Sequence, residues 1–150
     1  MEIQEFLSKK EEFIQKAIEL GLQVSSGLVQ LRTDINAIDD LDRIIEHVHN
    51  LYRKDLVDDA VAWNISVMLG TLLGEAIIKE HDFHWTINNI PVVETEEKNQ
   101  LSPISKINKI ILDEDDIEGT AKGFYEGFIA LMKYQKMSDE DKETITKYIK

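Results

Sequence analysis

The sequence predicts a mainly helical α+β fold, with about five to six helices around a central apolar helix near residues 58–79 and one β-hairpin near 83–94. Three observations carry this expectation. Most of the chain spaces its apolar residues at the helical period, one segment is apolar on every side, and one stretch switches to period two. A chain of 150 residues has the length of a single domain, here 1–150, and can bury roughly two thirds of its unfolded surface in one core.

The first helix is read from Ile3, Phe6, Leu7, Phe13, Ile14, Ala17 and Ile18, with Gly21 as its stop. Residues 22–34 contain Ser25, Ser26 and Gly27 and follow neither period. They are read as irregular, with room for a short strand or helix at Leu28 to Leu31. Asp39 or Asp40 can cap the second helix, in which Leu41, Ile44, Ile45, Val48, Leu51 and Tyr52 form the apolar stripe. Its opposite face, Asp42, Arg43, Glu46, His47, Asn50 and Arg53, is expected to be wet.

The third segment, Asp58 to Lys79, is apolar nearly all round, as a buried central helix or a membrane span would be. Fifteen uncharged residues run from Ala60 to Gly74 before Glu75 interrupts them, short of the about twenty needed to cross a bilayer. The neighbouring helices are amphipathic and suited to wrapping it. A core helix is therefore expected, and no membrane partner.

Beyond His81, Phe83, Trp85 and Ile87 alternate with His84 and Thr86, and Asn88-Asn89 supplies a two-residue turn before Ile90-Pro91-Val92-Val93. In that hairpin Ile87 faces Ile90 and Trp85 faces Val92. Pro91 has no amide hydrogen, so its strand should lie at an edge or leave that position unpaired. Ser102-Pro103 gives a cap followed by proline in the first turn, opening a helix with Ile104, Ile107, Ile110 and Ile111. The acidic residues Asp113 to Asp116 separate it from a helix over about 117–136, whose apolar side carries Phe124, Phe128, Leu131 and Met132. Ser138 begins the last helix, with Asp139, Glu140 and Asp141 at its positive end and Lys147 and Lys150 at its negative end.

Charge narrows the function classes. The chain has 17 Lys and Arg against 29 Asp and Glu, a formal net charge of −12. The first eighty residues hold 8 basic and 15 acidic groups and the rest 9 and 14, so no basic segment is set apart. Such a surface repels phosphate backbones and anionic lipid, and nucleic acid is not an expected partner. The absence of cysteine removes disulfides, thiolate zinc sites and thiol nucleophiles, and fits a reducing compartment. Met1-Glu2-Ile3-Gln4-Glu5 is acidic where a signal peptide would be basic, so a cytoplasmic location is expected.

Glu75 is the most suggestive single residue. It stands in Leu72-Leu73-Gly74-Glu75-Ala76-Ile77-Ile78, and burying it unpaired would cost several kcal/mol. Asn64, Thr71 and Glu75 fall on one helical stripe, and Trp85 and His84 follow in the hairpin. These five are the candidate ligand-binding residues. The structural alternative places Glu75 at the core boundary, bonded to a backbone amide, a lysine or the Trp85 indole.

No catalytic set, cofactor or metal site is expected. His81-x-x-His84 lacks the spacing of the zinc-protease helix, and Glu46-x-x-His49 is half of a di-iron motif without its second copy. The acidic run aligns poorly with a calcium loop, because Tyr125 falls where a bidentate glutamate is required. Lys98, Lys106 and Lys109 could receive a phosphate near the Ser102-Pro103 helix start. Tyr52, Phe124, Tyr125, Phe128 and Tyr134 have core or boundary spacing, with no interleaved basic residues that would make a stacking platform.

Gly70 and Gly74, and likewise Gly119, Gly123 and Gly127, repeat every four residues. Each glycine costs a helix about 1 kcal/mol relative to alanine, so a compensating close contact is expected. The two faces could cross within the monomer, or one could form a homodimer surface.

The run Gly70-Thr71-Leu72-Leu73-Gly74-Glu75-Ala76-Ile77, with Trp85 in a hairpin and Pro103 and Lys106 before an Ile-rich helix, resembles small bacterial domains. They share a Gly-x-x-x-Gly-Glu helix, a Trp-containing hairpin and a Pro-led helix. The resemblance spans about residues 56–112. It implies the fold of that stretch and no activity.

Two functional expectations follow. One is a non-enzymatic protein-binding module with a basic partner, in its sharpest form an acidic immunity or antitoxin-like protein. The alternative is a small-ligand-binding protein or enzyme with a pocket around Glu75 and Trp85.

Overall fold

The structure, a computed structural model, describes the backbone of residues 1–149 and side chains as far as residue 146. Lys150 and the Lys147 side chain, expected at the end of the last helix, lie outside the described residues. The fold is α+β and mainly α. In chain order it comprises α1 (Ile3–Val24), a 3-10 turn (Ile35–Ala37), α2 (Ile38–Arg53), α3 (Asp59–Glu80), β1 (His84–Asn88), β2 (Ile90–Glu94), β3 (Gln100–Leu101), α4 (Pro103–Leu112), α5 (Ala121–Gln135) and α6 (Asp139–Ile149).

The central position belongs to α3, flanked chiefly by α4 and α1. The Asp58 carboxylate accepts a hydrogen bond from the Val61 amide and so starts the helix. Ala62, Ile65, Leu69, Leu72, Leu73, Ala76 and Ile77 are buried on several sides of it. Among the described residues, α3 is the one helix long and apolar enough to cross a bilayer by length and composition; most of that stretch is buried inside the fold, as in a core helix.

The glycines of α3 do not meet those of α5. Gly70 lies against α4, where an added Cβ would stand 2.6 Å from the Ile104 Cα, and Gly74 lies beneath the indole of Trp85. Gly119 precedes α5 in a left-handed turn at φ 81°, and nothing approaches Gly127. The expected crossing of two glycine faces is therefore replaced by two separate close contacts of α3.

Several boundaries also differ from the sequence reading. Gly21 does not stop α1; it is buried within the helix, where its missing side chain admits Leu31 as the chain returns. The helix ends three residues later through Gly27, whose φ of 82° lets its amide reach the Leu22 carbonyl at 2.7 Å. Residues 28–34 form neither strand nor helix. The chain enters α2 through the 3-10 turn capped by Asp34 rather than through Asp39 or Asp40. In α5 the Thr120 hydroxyl caps the Gly123 amide, so the helix starts four residues beyond Ile117, which is exposed.

The hairpin is shifted by one residue from the expected register. Trp85 pairs with Val93 and Asn88 with Ile90, which leaves Asn89 at the tip with φ 66°. The shift follows from the turn: Asn88 is paired, and Asn89 alone makes the tip in the left-handed region where a two-residue turn was expected. A third strand, β3, pairs with Val93 and Glu94 and makes β2 the middle strand of the sheet. Pro91 remains beyond the reach of β3 on that side.

Candidate functional site

Glu75 sits where α1, α3 and β1 meet. Its Oε1 accepts a hydrogen bond from Lys10 Nζ at 2.9 Å, and its Oε2 accepts one from Trp85 Nε1 at 2.9 Å. The Lys10 and Glu75 side chains are 22% and 15% exposed. Phe6 meets the Trp85 ring edge to face, with centroids 4.8 Å apart. The carboxylate thus neutralises a lysine and satisfies an indole at the core boundary.

Of the five candidate residues, the structure joins only Glu75 and Trp85. Thr71 is buried and donates its hydroxyl to the Val67 carbonyl at 2.7 Å. Asn64 is exposed, about 16 Å along the helix from Glu75 at 1.5 Å per residue. His84 is exposed and lies 3.4 Å from Glu94 rather than near Glu75. An open depression of about 350 Å³ borders Glu75 between α1, residues 30–33 and α3, with Gln15, Arg32 and Lys79 around it. None of the other four candidates lines it.

The two histidines of His81-x-x-His84 diverge. His81 Nε2 lies 2.7 Å from the Tyr125 hydroxyl, and its ring stacks on Phe83. Burial pushes His81 below the ordinary imidazole value, opposed by the nearby Glu80 charge, and pushes the Tyr125 phenol up. Two of the three lysines near α4 are also engaged, Lys106 with Glu118 and Lys98 with Glu94. Among the described residues no group of three or more His, Asp or Glu side chains is arranged to hold a metal.

A second polar cluster lies on α2. Asp42, Glu46, His49 and Arg53 recur at i, i+4, i+7 and i+11 and line a cleft of about 490 Å³ facing the 113–120 connector. His49 is buried; its Nδ1 donates to the Ile111 carbonyl at 2.9 Å, and its Nε2 lies 3.3 Å from Asp116. Asp116 also faces Arg53 at 3.5 Å. Asp42, expected on a wet face, instead accepts from the Ala121 and Lys122 amides at 2.7 and 3.1 Å and caps α5. Burial pushes the Asp42 carboxyl up, against the pull of those two amides. The Glu118 amide holds Asp113 below the usual carboxylate range. The i, i+4, i+7, i+11 repeat was the available sequence signal for this stripe. Its task is to fasten the connector and α5 to α2.

A third feature, a groove of about 970 Å³, lies at the α2–α3 turn. Asp55, Asp58, Asp59, Glu114 and Asp115 line it together with Tyr52 and Arg53. None of these five carboxylates forms an ion pair among the described residues. The Tyr52 hydroxyl donates to Asp59 at 2.7 Å. That bond, followed by desolvation and the charges of Asp59, Glu114 and Asp55, holds the Tyr52 phenol above its ordinary value. The groove is a region of concentrated negative potential.

A scan against protein-family models finds no match for the chain, and searches of curated proteins and of solved structures find none either.

Proposed function

We propose that this is a non-enzymatic protein-binding module acting in the cytoplasm on a basic protein partner, in its sharpest form as an acidic immunity or antitoxin-like protein. The observation that carries the reading is the groove at the α2–α3 turn, where five carboxylates without ion-pair partners among the described residues converge in a chain of net charge −12. Such a field speeds encounter with a basic surface and disfavours acidic ones. The alternative, a ligand pocket around Glu75 and Trp85, has less support, because each Glu75 oxygen is already bonded within the protein.

Affinity capture from native lysate, followed by binding measurements on the recovered protein, tests the reading. The expected partner is basic, and its affinity falls as ionic strength rises toward about 0.15 M, where exposed charges are screened beyond about 8 Å. A neutral or acidic partner, or binding indifferent to salt, overturns it.

A further inference from the structure

The central helix is covered along only part of its length. Around Thr71, Gly74 and Glu75 it is overlaid by Trp85 and α1. Closer to its start, Ala60, Trp63, Asn64 and Val67 recur at i, i+3, i+4 and i+7, which places them on one face. Ala60, Trp63 and Asn64 are exposed and Val67 is half-buried; Val61, 44% exposed, borders them. Leu56, in the turn before α3, is 70% exposed. Ala60 belongs both to this face and to the wall of the acidic groove, so the two surfaces are continuous.

We propose that this face of α3, together with the adjoining acidic groove, docks an amphipathic helix with a basic flank supplied by the partner protein. The inference rests on the protein-binding reading above and adds the surface and the shape of the partner's element. A face two turns long with an aromatic residue on it suits helix recognition, in which apolar anchors at i, i+3, i+4 and i+7 make the contact. The acidic rim selects the occupant. Two copies, each of net charge −12, repel one another, and an anionic membrane meets the same repulsion. Lysine or arginine beside the apolar stripe of a partner helix meets carboxylates that have no ion pair among the described residues.

The test uses the full chain and two synthetic peptides of identical composition. In one, leucine and lysine segregate to opposite helix faces; in the other they are scrambled. The segregated peptide should bind at least about tenfold more tightly, with amide chemical-shift changes confined to residues about 55–68 and 114–115. Trp63→Ala and Leu56→Ser should each weaken it several-fold while the thermal melt stays close to that of the parent. Equal binding of both peptides overturns the helix-docking surface and leaves the basic-partner reading standing. Failure of both peptides to bind also overturns the docking surface, and the capture experiment then decides the basic-partner reading by itself. Dimerisation that Trp63→Ala abolishes, or binding of the chain to anionic vesicles through this face, replaces the proposed occupant and overturns the inference.

Discussion

Trp85 donates its indole hydrogen to one oxygen of Glu75 while Lys10 takes the other, so a single carboxylate ties the hairpin, the central helix and the first helix together. Removing it leaves two donors behind at a largely covered site. Glu75→Ala should lower stability by about 2 kcal/mol, whereas Glu75→Gln, which can still accept from the indole, should cost about 1 kcal/mol. Urea unfolding midpoints measure both. Equal losses would mean that the indole bond contributes nothing.

Glycine substitutions should change sign with position. Alanine ordinarily strengthens a helix by about 1 kcal/mol over glycine, and Gly127→Ala, with nothing within 4 Å of the new Cβ, should do so. Gly74→Ala would drive its methyl into the Trp85 ring and should instead cost about 1–3 kcal/mol, and Gly74→Leu more. Thermal melts of the variants, run side by side, decide the signs.

The double cap at the start of α5 gives a third expectation. Asp42→Ala frees the Ala121 and Lys122 amides and should destabilise the protein by about 1–2 kcal/mol. Hydrogen exchange at the first turn of α5 should accelerate more than exchange in α3.

His81 predicts a dependence on pH. Its folded-state value lies below the ordinary 6.5 because burial disfavours the charged ring. The unfolded chain then binds the proton first, so stability is fully present above 6.5 and is lost as pH falls through the lower folded value. Stability curves of the parent and His81→Gln, measured from about pH 7.5 to about pH 5, should differ by a fall present only in the parent. Parallel curves would refute the assignment.

Much of the fold was legible because its signals are local. Ser102-Pro103 and the isoleucines after it determine α4 through a cap, a preset φ and a stripe, and the all-round apolarity of 58–79 marks the centre. Glu75 was legible as a boundary carboxylate, since few groups other than a lysine or an indole could satisfy it there. What escaped depends on distant partners. Gly21 reads as a helix stop until Leu31 is seen filling the space beside it. The two residues of β3 are too few to have a period, and Asn88-Asn89 does not reveal that Asn89 alone makes the tip of the hairpin. Asp42 looked solvated because its partners, the Ala121 and Lys122 amides, lie far along the chain.

The clasp between Asp42 and the start of α5 joins residues 79 and 80 positions apart. Closing so long a loop costs conformational entropy that the contacts between its ends must offset, so α5 is expected to dock late. In reverse, α5 should detach as a cooperative unit before the rest unfolds, leaving the α3–α4 pair as the slowest-exchanging part of the molecule.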